Sequence, residues 1–419
     1  MATPNEKLAA SLDELRRLQR DGSRVFASRQ LSRTSRERLL KHGFLLEAMK
    51  GWLVSTNPDV PPGDTTPWFA SFWEFCSRYC QARFARRWHL SPEQSLLLHA
   101  ESTAIPRQVT VCSPDAHNNK TDLLFGTSFF ELKEKEMPPT SDLEIRNGVR
   151  VYRVVAALTR VPSSFFEAHT VEAQVILGTI REPSELLTWL LEGGHSTVAG
   201  RLAGAFRRLG HEAIANEIVS TMKAADYDVR ESDPFSPDRP LAPPRKSTSP
   251  LVARLGTLWM SMRDPVLAEF PKSRGLPRDP GAYLHIIDDV YKLDAYHSLS
   301  IEGYQVTPQL VQRVTAGDWD PDNVESDREN KNALAARGYW LAFRRVREAV
   351  RRILAGANGA EVVRKGHRDW YREMFSPYVS AGLLGAEMLA GYRRQPVFLR
   401  GSRHVPPRWE ALQDAMPAL

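Results

Sequence analysis

Apolar residues recur at three- and four-residue intervals over 7–19, where Leu8, Leu12, Leu15 and Leu18 share one face, and this spacing predicts an amphipathic helix. A short second helix is predicted at 29–31. A third, capped by Thr34 or Ser35, runs to Gly43, where a glycine ends it. Residues 44–54 then alternate loosely between apolar and polar around Lys50 and Gly51, as a β-hairpin does. Prolines over 57–67 break the pattern.

Three short helices and a hairpin are the element order of a winged helix-turn-helix, which assigns that fold to 1–56. Downstream, 68–85 reads as a helix striped with Trp68, Phe69, Phe72, Trp73, Phe75 and Tyr79. Aromatic residues at helical spacing belong to a core before they belong to a binding face. Strand-like runs follow at 108–112, 123–132 and 149–154, continuing through 155–161 and 184–192, so 68–230 is expected to be a small α/β regulator-like domain. The run from Gly193 to Gly200 looks like a phosphate loop but lacks the G-K-S/T ending, and it is read as the cap of a helix over 197–209.

Prolines at 234, 237, 240, 243 and 244 exclude continuous helix or sheet, because proline fixes φ and removes a donor. Residues 231–250 are therefore expected to form a linker, or an extended arm pinned to a neighbouring domain. Helical periodicity returns at 251–262, 279–298, 308–315, 332–355 and 379–388, and 251–419 is assigned to one last domain. The fold class is multidomain, mainly α with an α/β part.

With 42% hydrophobic and 25% charged residues, the composition is that of a folded globular chain. No apolar run approaches the roughly 20 residues that span a bilayer, so no membrane partner is expected. The first ten residues have no signal-peptide core, and Cys76, Cys80 and Cys112 are few and odd in number; together these suggest the cytoplasm. Cys76 and Cys80 are read as buried helix positions. His99, His117, His169, His195 and His211 have no ligand-like spacing, so no metal ligand is assigned.

The net charge of +6 is spread along the chain, which makes local clusters more informative than the total. Arg344, Arg345, Arg347, Arg351 and Arg352 lie opposite Trp340, Leu341, Val346, Val350 and Leu354 and read as a solvated face. Arg29, Arg33, Arg36 and Arg38, with Lys41, face a single Glu37 in the third-helix region. They fit DNA phosphates and base edges, or the solvated face of a protein-interaction module.

Ser298, Ile301, Glu302, Gly303 and Thr307 form the pattern S-x-x-I-E-G-x-x-x-T. This resembles the autoinhibitory signature of the Fic (Fido) family. Gly391, Tyr392 and Arg393, followed by Pro396, Val397, Phe398, Leu399, Arg400 and Gly401, resemble that family's flap, and Pro406 and Pro407 with 409–419 resemble the dipeptide and helix after it. The N-terminal segment, with Gly-Phe-Leu-Leu-Glu from Gly43, is similar to AbiEi-type antitoxins and transcriptional regulators.

These resemblances imply an incomplete all-α Fic-like domain with a β-hairpin flap, in a protein of a family that transfers AMP from ATP, with Mg2+, to a hydroxyl of a target protein. Ser298, Glu302 and Gly303 would be its inhibitory motif, with Glu302 competing with phosphate for an arginine. Residues 396–401 would bind the target by strand addition. The family's catalytic loop, H-P-F-x-D/E-G-N-G-K/R, does not occur in the 419 residues. His367 and His404 are the nearest candidates, and neither is followed by glycines that turn N–H groups onto phosphate. No catalytic residue is assigned, the chain is expected to be truncated before the loop, and neither AMP transfer nor a retained ATP or Mg2+ is expected. The alternative is a DNA-binding regulator or antitoxin-like protein on a Fic-derived scaffold.

Overall fold

The computed structural model describes residues 3–59, 63–236, 241, 249–272, 275–316, 331–394 and 396–418. It is mainly helical with small sheets. The chain forms two compact units: 1–269 together with 394–419, and 270–393. The division therefore falls after residue 269 and again after 393, not at 231–250.

The first unit opens with α1 (Pro4–Leu18), β1 (Val25–Ala27), a 3-10 turn (Ser28–Gln30), α2 (Arg33–Lys41) and the strands β2 (Leu45–Met49) and β3 (Trp52–Ser55). The short helix expected at 29–31 is thus a single tight turn. Thr3 starts α1 with a capping box through Glu6, and the Ser32 hydroxyl caps α2 by accepting from the Ser35 N–H. Gly43, at φ +74°, supplies the left-handed residue that ends α2. The strands pair antiparallel in the order β1-β3-β2. Leu15, Phe26, Leu31, Leu39, Leu45 and Leu53 pack between helices and sheet.

This module does not stand apart. Val25, Ala48 and Val54 belong to the next core, built on α3 (Thr66–Phe84), and Glu74 of α3 accepts from the Arg24 and Val25 N–H groups. Trp68, Phe72 and Phe75 are fully buried, and burial of such side chains stabilises by about 1.5–3 kcal/mol each. The aromatic stripe is core, as its spacing suggested.

Against α3 lies a four-stranded sheet, β4 (His89–Leu90), β5 (Gln108–Ser113), β6 (Asn119–Asp122) and β7 (Ser128–Lys133), in the order β4-β5-β7-β6 with β5 and β7 parallel. The strand expected over 123–132 is interrupted by a 3-10 turn at Leu124–Gly126, where Phe125 and Gly126 both have positive φ. Glu131 of β7 is buried, and it is satisfied by the Tyr79 hydroxyl at 2.8 Å and by Arg83. Strands β8 (Leu143–Arg146) and β9 (Val149–Tyr152) form a separate hairpin whose turn, Asn147-Gly148, has positive φ at both positions.

A helical layer follows: α4 (Pro92–His99) before the hairpin, then α5 (Val154–Leu158), α6 (Ser164–Ala168), α7 (Thr170–Thr179), α8 (Ser184–Glu192), α9 (Ser196–Arg208) and α10 (Glu212–Ala224). The glycine run leads into α9, which His195 precedes as N-cap without a side-chain capping bond. Residues 230–236 are the pinned arm: Ser232 donates its N–H to the Gly200 carbonyl, Glu231 pairs with Arg207, and Phe235 is buried against Phe166. The rest of the expected linker, 237–240 and 242–248, lies outside the described residues. Helix α11 (Pro250–Glu269) closes the unit by burying Leu251 against Ala411 and Ala415.

The second unit contains α12 (Pro280–Ile301), α13 (Pro308–Ala316), α14 (Lys331–Leu354) and α15 (Gly359–Ser380). Tyr291, Ala295 and Leu299 of α12 pack on Val311 and Val314 of α13 and on Ala333 to Ala336 of α14. The sequence reading missed α15, where the charged run from Arg364 to Asp369 separates Val362 and Val363 from Trp370 and Tyr371; Asn358 starts it by accepting from the Glu361 N–H. The helix expected at 379–388 is the end of α15 followed by a 3-10 turn at Ala386–Leu389.

Candidate functional site

Helix α12 puts Ser298 and Glu302 one turn apart. Glu302 is the C-cap, and Gly303 at φ +87° reverses the chain so that the Tyr304 N–H reaches the Leu299 carbonyl at 3.0 Å. Within the same unit, Ser298, Leu299, Ile301, Glu302 and Tyr304 form one wall of a cavity of about 550 Å³. Ala335 and Tyr339 of α14 and Met374, Phe375 and Tyr378 of α15 complete it. The Tyr339 hydroxyl donates to Asp294 at 2.5 Å and lies 3.3 Å from the Ser298 hydroxyl. Burial, and then the bond to Asp294, pushes the Tyr339 phenol up. The Tyr378 phenol is also pushed up by burial, and next by its bond to Tyr304. Among the described residues, no lysine or arginine lines this cavity.

The flap-like segment is built differently. Residues 396–401 form no strand, so the hairpin and its free edge, expected from the resemblance, are not formed. Pro396, Val397 and Phe398 instead line a pocket with Phe69, Trp73 and Ile105 of the first unit. Gly401 donates its N–H to the Thr65 hydroxyl, and Arg400 lies 3.6 Å from Asp64. Immediately after it, His404 bridges antiparallel to Ala104, with the Ile105 N–H on the Arg403 carbonyl and the Val405 N–H on the Thr103 carbonyl. These bonds tie the backbone at 401–405, immediately after the flap-like stretch, to the rest of the first unit. His367 sits in α15, with its ring nitrogens 3.3 Å from the Val363 carbonyl and from the Tyr392 hydroxyl.

Of the four N-terminal arginines, Arg38 is structural: its guanidinium donates to the Lys7 carbonyl at 2.8 Å and to the Ser11 hydroxyl at 2.6 Å, tying α2 to α1. Arg33 is exposed and pairs with Glu37 at 2.9 Å. Arg29 is exposed and Arg36 partly buried, and Lys41 and Lys50 are exposed on α2 and at the hairpin tip.

A third group was not visible as a motif. His89 lies directly opposite Cys112 in the β4/β5 register. Cys112 in turn pairs with Leu132, so Glu134, two residues further along, returns to the same face. The ligand atoms of His89, Cys112 and Glu134 lie within 4.8 Å of one another. His89 is fully buried, with Nδ1 3.0 Å from the Leu90 carbonyl and Nε2 3.0 Å from Glu134. Its bond from His89 holds the Glu134 carboxyl below the usual range, while burial and then Glu134 raise the Cys112 thiol. Tyr152 stands edge-on to the imidazole, and Arg160, paired with Asp142 at 3.0 Å, covers Tyr152. Cys76 and Cys80 are buried in α3, away from this group.

Compared with the models of known protein families and with curated proteins, the chain matches none.

Proposed function

We propose that the chain is a regulatory protein of the Fic type, in which residues 298–303 act as an inhibitory segment for nucleotide-dependent modification of a protein hydroxyl. One observation carries this reading: Ser298 and Glu302, singled out by motif, stand together in the wall of a cavity of nucleotide size. The lining, three tyrosines among Leu299, Ile301, Met374 and Phe375, suits a purine ring. Among the described residues, the lining does not suit a triphosphate or its Mg2+, because it offers no cation and only one carboxylate. These residues would therefore control AMP transfer and not catalyse it. Glu302 would exclude phosphate by charge repulsion across the cavity.

The test compares nucleotide binding and AMP transfer from labelled ATP in the native chain and in Glu302→Gly. Glu302→Gly is expected to bind ATP at least fivefold more tightly, a gain of about 1 kcal/mol. The native chain is expected to label nothing. Equal affinity in both proteins would overturn the inhibitory role, and strong labelling lost on changing His367 or His404 would overturn the assignment of control alone.

A second reading rests on the N-terminal module, which we read as a winged helix that contacts DNA through Arg29, Arg33 and Lys41, with Lys50 on the wing. Their exposure and their common helix-and-hairpin setting favour it. Filter binding across salt concentrations tests it: each phosphate contact contributes about −0.9 to the slope of log affinity against log salt. A slope near zero removes this reading.

A further inference from the structure

We infer that His89, Cys112 and Glu134 form a binding site for a divalent transition-metal ion, with zinc the best match to the donor set. Imidazole, thiolate and carboxylate are the three ligand types that zinc takes, and thiolate plus carboxylate neutralise a dication.

The tautomer points the same way. His89 Nδ1 lies 3.0 Å from the Leu90 carbonyl, an acceptor that requires an N–H there. The neutral ring then presents the Nε2 lone pair to Cys112 and Glu134, which is how a backbone carbonyl prepares a ligating histidine. Nε2 lies 3.0 Å from the Glu134 carboxylate, so the ring nitrogen left free by the Leu90 carbonyl is aimed at the other proposed ligands.

The scaffold is rigid where it matters. Two ligands sit opposite each other on paired strands, and the third directly follows the strand that pairs with β5. Beneath them, β7 is held to α3 by Glu131 with Tyr79 and Arg83. Zinc bonds of about 2.0 Å to nitrogen and oxygen and 2.3 Å to sulfur place tetrahedral donors roughly 3.3–3.6 Å apart. The observed separations, up to 4.8 Å, need a small side-chain contraction. Arg160 is the nearby opposing charge, and its guanidinium is already engaged by Asp142 at 3.0 Å. Glu134 is the one partly exposed member, so the ion enters there and water completes the fourth position.

The site is distinct from the cavity in 270–393 and does not depend on the reading of Glu302. Its test is a titration of the full chain with Co2+, followed by displacement with Zn2+. Expected are one equivalent of Co2+, a thiolate-to-cobalt charge-transfer band in the near ultraviolet, and bleaching of the band by Zn2+. Cys112→Ser should abolish the band, Cys76→Ser should keep it, and the near-isosteric Glu134→Gln should weaken affinity tenfold or more. Zn2+ should also raise the Tm of the native chain, reversibly with chelator. A native chain showing no band, or a band that survives in Cys112→Ser, would overturn the site, as would a Zn2+-dependent Tm rise of equal size in that variant.

Discussion

Gly338 of α14 lies against the backbone of Met374 on α15, so closely that a Cβ at residue 338 would fall 1.9 Å from the Met374 carbonyl oxygen. That approach lets Ala335, Tyr339, Met374 and Phe375 share one cavity wall. In an open helix, alanine would be better than glycine by about 1 kcal/mol. Here the contact is with backbone, so the helices must separate. Gly338→Ala is expected to destabilise the 270–393 unit by about 1–3 kcal/mol, read from chemical denaturation. An unchanged or raised midpoint would show that the two helices do not cross as described.

The arm over 230–236 depends on two glycines in the same manner. A Cβ at Gly200 would lie 2.0 Å from the Arg230 carbonyl oxygen, and one at Gly204 would lie 2.1 Å from that of Ser232. Gly204→Ala should lift the arm and expose Phe235, which is now buried. Limited proteolysis should then cut near 230–236 several times faster than in the native chain. Equal cutting rates would mean that the arm is held by Arg207 with Glu231 and Arg208 with Asp233 alone.

Two histidines set a pH dependence. Burial lowers the pKa of His99, whose Nε2–H donates to the Tyr152 carbonyl at 2.8 Å, and burial also lowers that of His211. The unfolded chain keeps values near 6.5 and therefore takes up protons first as pH falls. Their contribution to stability is complete above about pH 6.5 and declines below it. Melting at about pH 7.5 and 5.5 should show a drop that His99→Gln and His211→Gln reduce; a drop of the same size in both variants would exclude these residues as its source.

Arg38 and Arg33 separate stability from surface chemistry. Arg38→Ala breaks two bonds between α2 and α1 and should cost about 1–2 kcal/mol of stability. Arg33→Ala removes an exposed pair with Glu37 and should cost little, yet it should lower the salt slope of any DNA binding by about one unit. A native-like salt slope in Arg33→Ala would assign α2 to a protein contact instead.

Local physics made much of this protein legible in its residues. The glycine stops at Gly43 and Gly303, the aromatic face of α3, strand β5 and the burial of Cys76 and Cys80 all follow from neighbours within a turn or a strand, whereas the cap of α2 falls on Ser32 and not on Thr34 or Ser35. The motif over 298–303 likewise marked two residues that do line a cavity. Helix α15 escaped because the polar run from Arg364 to Asp369 interrupts its apolar spacing, and the strand over 123–132 was overextended because nothing local announces positive φ at Phe125.

What only the tertiary structure decided is which distant segments meet. The supposed flap is coil because its backbone neighbours are Thr65 and the 103–105 segment, contacts that no pattern within 396–405 encodes. His89, Cys112 and Glu134 become one group through sheet register alone, since a shift of one residue would turn Cys112 to the opposite face. A helix or turn is chosen by interactions a few residues long, so the sequence by itself determined those. Pairing across tens or hundreds of residues is chosen by shape and by the satisfaction of backbone groups, which exist only once the chain has folded.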